Sequence, residues 1–296
     1  MSRILISGAS GFVGKALTAH LLSQGHTIVK LKRRRVEEEE NTLFWDPEEG
    51  EILIQEKFDA VVHLAGEPFS FGRWSETKKE KILSSRVVGT RLLAEAFVDN
   101  PPKIFISASA IGFYGDRGEE ILTEKSSQGK GFLAHVCSEW EKASSPLAKR
   151  GGRTVQTRFG MVIGKGSRAL KNMLLPYKLG LGGNLGSGKQ WVSWVALDDL
   201  IRAIEMIIKN DSFQGPVNIV SPNPVRQEEF SKILAHILHR PSRMTMPAWL
   251  IRFLFGVLAD EMLLASARVE PAKLLVSGFK YKYPHLSDAL NKAIQK

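Results

Sequence analysis

The stretch Gly8-Ala9-Ser10-Gly11-Phe12-Val13-Gly14 decides how this chain is read. Arg3-Ile-Leu-Ile-Ser7 precedes it, a short apolar run that reads as a buried strand. Lys15-Ala-Leu-Thr-Ala-His-Leu-Leu-Ser-Gln-Gly25 follows, with helical periodicity and a glycine at its end. Strand, glycine turn and helix together are what give a glycine motif meaning. The glycines permit a tight turn and close backbone approach. The helix start offers unpaired N–H groups and a positive dipole to a pyrophosphate. The spacing is GxxGxxG rather than the GxGxxG of the dinucleotide fingerprint. A glycine-rich turn without a ligand is the plainer alternative, and the rest of the chain weighs against it.

Working outward, Gly25-His-Thr-Ile-Val-Lys-Leu-Lys32-Arg33 reads as a second strand. It ends about 20 residues beyond the turn, where dinucleotide-binding folds place the side chain that reads the ribose. An Asp or Glu there would accept a hydrogen bond from a 2′-hydroxyl. Lys32 and Arg33 instead suit a 2′-phosphate, which a guanidinium grips through two parallel hydrogen bonds. NADP is the cofactor this pattern selects. The same cations could be solvated at a strand end, with Arg34 or Arg35 making the contact.

Residues 42–47 form a candidate third strand. Phe58-Asp-Ala-Val-Val-His63-Leu64-Ala65-Gly66 is almost all apolar, as strands covered on both faces are. Its last three residues fall beside the glycine turn. The loop after it, from Glu67, carries Phe69, Phe71 and Trp74, which either line a pocket or anchor the loop on the core. A helix spans residues 75–98 and is stopped by Pro101 and Pro102. Then come a strand over 103–109, a helix over 131–149 and a strand over 154–163. Strands alternating with helices imply a parallel sheet with right-handed crossovers. The expected class is α/β, a doubly wound Rossmann-type sheet.

Residues 164–193 are rich in glycine and read as a mobile excursion. A helix follows, with Asp198 or Asp199 as its cap. Residues 216–220 form a last core strand. Beyond it the pattern is helical at 227–238 and 247–264, with a terminal helix after Tyr281, Tyr283 and Pro284. The expected division is a cofactor domain over residues 1–165, to which 191–221 return, and a smaller, mostly helical C-terminal lobe over 166–296 for substrate.

The composition, 43% hydrophobic and 24% charged, is that of an ordinary globular chain. Cys137 is the single cysteine, so no internal disulfide can form. With no signal peptide ahead of the first strand, a cytoplasmic location is expected. The net charge of +10 raises the question of nucleic acid. Only Lys30-Leu-Lys32-Arg33-Arg34-Arg35 is dense, Glu37-Glu-Glu-Glu40 follow it, and no nucleic-acid motif accompanies it. A local anion site outranks nucleic-acid binding. The longest apolar stretch, 248–259, is too short to span a bilayer and contains Arg252. A helix packed on the main domain explains 247–264 more simply than a membrane surface does. His236 and His239 lack a third ligand, and no metal is expected.

On these stretches the chain resembles an atypical or extended short-chain dehydrogenase/reductase of the epimerase/dehydratase superfamily. It is most similar to subfamily 39U, labelled epimerase family proteins and, historically, cell division inhibitors. The matching segments are the Gly8–Gly14 turn, His63-Leu-Ala-Gly-Glu-Pro68 and Ser107-Ala-Ser-Ala-Ile-Gly-Phe-Tyr-Gly-Asp-Arg-Gly118. Leu179-Gly-Leu-Gly-Gly-Asn-Leu-Gly-Ser-Gly-Lys-Gln-Trp191, Arg268-Val-Glu-Pro-Ala-Lys-Leu-Leu275 and Gly278-Phe279 also match. The resemblance implies NADP held at the pyrophosphate by Gly8, Ser10, Gly11, Phe12, Val13 and Gly14, and at the adenosine phosphate by Lys32 and Arg33. Leu64, Ala65, Gly66, Glu67 and Ser107 would flank ribose and nicotinamide. Related enzymes pair through helices like those near residues 75 and 132, so a homodimer is one expectation.

That superfamily usually works through a Ser or Thr and a Tyr-x-x-x-Lys pair, whose spacing puts both groups on one helix face. The ammonium lowers the phenol's pKa toward working pH. Here the four tyrosines, Tyr114, Tyr177, Tyr281 and Tyr283, are followed four residues on by Gly118, Leu181, His285 and Ser287. The dyad's places fall on Leu133 and Cys137. Ser109 matches the catalytic serine and Tyr114 is a substitute acid, although an aromatic packed under the loop is the simpler reading of Tyr114. Glu67, at the mouth of the site, is a third candidate. Arg86 stands where extended reductases often carry a structural asparagine. Two functions follow as expectations: an NADP-dependent oxidoreductase or epimerase acting on a small or nucleotide-linked substrate, or a non-catalytic NADP(H)-binding sensor.

Overall fold

The computed structural model describes residues 1–33, 40–68 and 72–294. β1 (Arg3–Ser7) passes through the glycine turn into α1 (Phe12–Ser23), followed by β2 (Thr27–Lys32), β3 (Thr42–Asp46), β4 (Glu51–Ile52) and β5 (Ala60–His63). α2 (Glu76–Glu95) starts at Ser75, whose hydroxyl accepts from the N–H of Lys78. It leads to β6 (Ile104–Ala110), β7 (Ile121–Leu122), α3 (Phe132–Lys142), α4 (Ser145–Lys149) and β8 (Thr154–Phe159). After β9 (Met161–Ile163) come α5 (Arg168–Lys178), β10 (Gly183–Leu185), β11 (Trp191–Val192), β12 (Trp194–Ala196), α6 (Leu197–Lys209) and β13 (Gly215–Ile219). The chain closes with β14 (Val225–Arg226), α7 (Gln227–Ile237), β15 (Met244–Met246), α8 (Ala248–Phe255), β16 (Arg268–Val269), α9 (Ala272–Val276) and α10 (Leu286–Ile294).

Eight strands form one sheet in the order β13-β8-β6-β5-β1-β2-β3-β4, parallel throughout except at the β3–β4 edge. This is the doubly wound α/β sheet expected from the alternation of elements. One face presents Ile4, Ile6, Val62 and Ile106 to α1 and α6, where Leu17, Leu21, Leu200 and Ile204 are fully buried. The other presents Leu5, Val61 and Phe105 to Trp45, Leu93, Phe97 and Leu147. Burial on both faces explains the near-continuous apolar strands. Strand order turns outward in both directions from β1, so the crevice at the carboxyl ends of β1 and β5 is the switch point where such sheets bind ligands. Trp194, Phe230, Leu234 and Leu290 anchor a second core built mainly from later elements.

Five expectations need correction. The helix over 131–149 is two: α3 ends at Lys142, and Pro146 at the start of α4 prevents a continuous ladder. The strand over 154–163 divides at Gly160, where a side chain would meet Ser193 O at 2.8 Å, and β9 pairs with β12 outside the main sheet. Residues 164–193 carry α5 and two short strands rather than an unstructured excursion. Neither Asp198 nor Asp199 caps α6, whose N-cap is Ala196. Asp199 instead accepts from the N–H groups of Lys282 and Tyr283, at 2.7 and 2.8 Å. Finally, the helix over 247–264 is not continuous: α8 ends at Phe255, before Gly256 at φ +57°, and the segment buries Ile251, Leu258 and Ala259 while Trp249 and Phe253 are 68% and 66% exposed. Among the described residues no helix is long and apolar enough to cross a membrane.

Candidate functional site: a dinucleotide crevice without the usual dyad

Each glycine of the turn answers a different demand. Gly8 has φ +70° and lies so close to the end of β5 that a Cβ would stand 2.8 Å from the Ala65 nitrogen. A Cβ on Gly14 would overlap the carbonyl oxygen of Gly8, so α1 can approach the turn only with glycine there. Gly11 is different. A Cβ on it would meet only Gly8 O, at 3.2 Å, so the fold asks little of this position. Its bareness opens the start of α1, which has no side-chain cap and no acid in its first turn. Uncapped N–H groups behind an exposed glycine and the exposed Ser10 fit a pyrophosphate. The ring of Phe12 leans on Gly164, and Val13 packs on the main core, leaving their backbones to face the turn. Gly14→Ala is expected to separate α1 from the turn, lowering stability by about 1–3 kcal/mol. Thermal melting reads that loss.

The shelf opposite is fixed by two residues that the sequence reading passed over. Ser7 Oγ accepts from the N–H groups of Leu64 and Ala65, at 3.2 and 3.4 Å, which leaves its own hydrogen to donate to His63 Nδ1 at 2.6 Å. Ser7 and His63 face each other in register across β1 and β5, and both are fully buried. Burial pushes the His63 pKa down to about 4, so the imidazole is neutral at physiological pH. Only the strand register could have revealed the pair. Beyond it, Gly66 rests on Arg86, which is buried, donates to Glu67 O at 3.1 Å and lies over the Trp140 ring. Burial lowers its pKa to about 10, leaving it charged near neutrality. Ser107 is enclosed within the sheet between His63 and Gln156.

At the carboxyl end of β2, Lys32 closes the strand and Arg33 is exposed just beyond it. Arg34, Arg35, Phe69 and Phe71 lie outside the described residues. Glu67 joins this end. Its carboxylate accepts from Lys78 Nζ at 2.7 Å, and Lys78, with Arg33 and Lys81 farther off, holds its pKa below the ordinary range.

The two catalytic candidates fall into one buried chain of hydrogen bonds. Ser109 Oγ donates to Glu141 Oε1 at 2.7 Å. Arg158 donates to both Glu141 oxygens at 2.7 Å and to the Tyr114 hydroxyl at 2.9 Å. Tyr114 lies 2.7 Å from Asn218 Oδ1 and 2.9 Å from Thr123 O. Ser109 is 2% exposed and Tyr114 not at all, and burial raises the Tyr114 pKa above its usual value. Tyr114 is thus enclosed, with its hydroxyl engaged by Arg158, Asn218 and Thr123. At the dyad's places, Leu133 and Cys137 are both buried, and burial drives the Cys137 thiol up to about 12. A thiol so protonated is no nucleophile. The carboxylate of Glu261, from the C-terminal segment, binds the N–H groups of Phe132 and Leu133 at 2.6 and 2.7 Å and so caps α3.

A family model described as the NAD dependent epimerase/dehydratase family matches residues 4–220, from the first strand to the end of the sheet. The chain belongs to that family. Residues 246–293 match a second model, a domain of unknown function called DUF1731. Among relatives, the Epimerase family protein Mb2239 of Mycobacterium bovis is 37% identical over 98% of this chain and 97% of its own. The Epimerase family protein SDR39U1 homolog, chloroplastic, of Arabidopsis thaliana is 34% identical over 99% of this chain and 86% of its own. Among solved structures, human epimerase family protein SDR39U1 (isoform2) with NADPH superposes with a TM-score of 0.89 at 32% identity, covering 98% of each chain. A UDP-glucose 4-epimerase from Thermotoga maritima, at 18% identity and TM-score 0.78, shares the fold. These likenesses place the chain in the 39U branch of the short-chain dehydrogenase/reductases.

Within this epimerase family chain, then, the crevice brings together the glycine turn, the Leu64–Gly66 shelf, Glu67 and Arg33. It does not bring Ser109 or Tyr114 to an open face. Glu141, Arg158 and Asn218, which engage them, come from segments 32 to 104 residues away along the chain, a distance no local motif spans.

Proposed function

We propose that this chain binds NADP(H) in preference to NAD(H), and that it does so without the tyrosine–lysine pair usual in the wider superfamily. The carrying observation is the pairing of an uncapped α1 start behind Gly11 with cations, and no acid, at Lys32 and Arg33. The NADPH present in the human SDR39U1 structure supports the same choice. When bound, the dinucleotide supplies hydride chemistry; the protein supplies position and selectivity. Gly8, Ser10, Gly11, Phe12, Val13 and Gly14 hold the pyrophosphate through backbone N–H groups, and Leu64, Ala65 and Gly66 form the ribose shelf. Arg33→Ala should weaken NADPH by about 2 kcal/mol, roughly thirtyfold, and leave NADH nearly unchanged. Equal losses in calorimetric titrations of both dinucleotides would refute that assignment.

Of the two functions, an oxidoreductase or epimerase and a dinucleotide-binding sensor, the buried Ser109–Glu141–Arg158–Tyr114 chain favours the sensor. Its acid and base groups are occupied by one another. The test is NADPH consumption against a panel of carbonyl compounds and nucleotide-linked sugars. Tight NADPH binding with no turnover supports the sensor; turnover abolished by Ser109→Ala in a protein that still melts normally overturns it.

A further inference from the structure

Among the described residues, three cations act on the Glu67 carboxylate. Lys78 Nζ touches Glu67 at 2.7 Å, and Arg33 and Lys81 act on the same carboxylate from farther off. Lys78 and Lys81 stand one helical turn apart on α2, and so share a face. Lys79, between them, turns to Glu76 at 2.8 Å and to the Phe132 ring. The backbone beneath is fixed: Glu67 N–H donates to Ser85 Oγ at 3.2 Å, Arg86 donates to Glu67 O, and Ser75 Oγ receives the N–H of Lys78. Glu67 and Lys78 are only 34% and 23% exposed in their side chains, so their interaction is partly shielded from water.

Charge decides what this arrangement accommodates. Among the described residues, the three positive groups acting on Glu67 leave a surplus of two over its carboxylate, which matches a phosphate monoester carrying about −1.5 to −2 near neutral pH. Resting on the NADP reading above, we infer that Lys78 is a specificity-determining residue for the 2′-phosphate of NADP. Glu67 serves as an exchangeable counter-ion: it occupies Lys78 until the phosphate arrives and limits how tightly the phosphate is held. A carboxylate beside a phosphate repels it, so Glu67 tempers the affinity that Arg33, Lys78 and Lys81 create.

The two substitutions have effects of opposite sign. With Lys78→Gln, the NADPH dissociation constant should rise about fivefold or more, with that of NADH within twofold of wild type. With Glu67→Gln, NADPH should bind about threefold tighter and NADH as before, and the gain should shrink in high salt. Both are read by titration calorimetry with NADPH and NADH as probes. If both dinucleotides weaken together in Lys78→Gln, the lysine only anchors the loop and the inference falls. If Glu67→Gln weakens both, Glu67 holds a ribose hydroxyl and the inference falls likewise. Wild-type protein that binds NADPH no better than NADH would remove the underlying NADP reading. An unchanged preference in Lys78→Gln, with the wild-type preference intact, removes this inference alone.

Discussion

Replacing Glu141 by alanine is expected to cost the fold about 3–5 kcal/mol, because it leaves the guanidinium of Arg158 buried without its carboxylate. Arg158 is 3% exposed, and both of its bonds to Glu141 are 2.7 Å long. The remaining partners do not replace a negative charge. The Tyr114 hydroxyl is neutral, and the Phe113 ring, 3.5 Å from the guanidinium carbon, offers only its quadrupole. Urea titrations should show the midpoint falling with an unchanged slope. Ser109→Ala removes one hydrogen bond to the same carboxylate and should cost only about 1–2 kcal/mol. Replacing Glu141 and Arg158 together with Leu and Met should recover most of the loss, since the charge and its partner leave together. A Glu141→Ala protein within about 1 kcal/mol of wild type would mean that water reaches Arg158 and that this network is not the closed unit described here.

That network also marks where the sequence stops being readable. The glycine turn and the apolar strands were legible because each rests on neighbours within a few residues: Gly14 must be glycine because of Gly8, six residues earlier. The sheet followed from the alternation of strand and helix. Asp199 was misread for the opposite reason. A local rule makes it a helix cap, yet its carboxylate serves Lys282 and Tyr283, more than eighty residues on. Gly160 was passed over because the need for glycine comes from Ser193 and Val220. The run of glycines after residue 164 suggests mobility, yet Gly182 and Gly183 are bare because Tyr177 and the β15 backbone press against them. Ser109 and Tyr114 were recognised by motif but not in their setting, since Glu141, Arg158 and Asn218 reach them through the fold.

Restoring lysine at the dyad position, Cys137→Lys, is expected to destabilise the protein by about 4 kcal/mol rather than rebuild a catalytic pair. Two costs combine. Cys137 is 4% exposed on α3, with Leu133 buried one turn before it, and the longer side chain overpacks the site. More important, the buried guanidiniums of Arg86 and Arg158 both act at that sulfur, and the Glu141 carboxylate that opposes them is already held by Arg158. A further cation there would be desolvated beside them, pushing the new ammonium's pKa below its ordinary value of about 10.4. The sign of the pH dependence follows. The unfolded chain keeps the proton up to about pH 10, while the folded chain sheds it at lower pH, so stability rises with pH between the two values. The deficit of Cys137→Lys should therefore shrink between about pH 7 and pH 10 in denaturant titrations. Adding Arg86→Asn should recover part of it, with a favourable coupling of about 1 kcal/mol or more in the double-mutant cycle. Additive losses, or a deficit indifferent to pH, would show that the new ammonium and Arg86 do not meet. A favourable coupling would mean that the buried cation of this crevice comes from α2 in place of α3. The absence of lysine at residue 137 and the presence of arginine at residue 86 would then be one change in the electrostatics of the site.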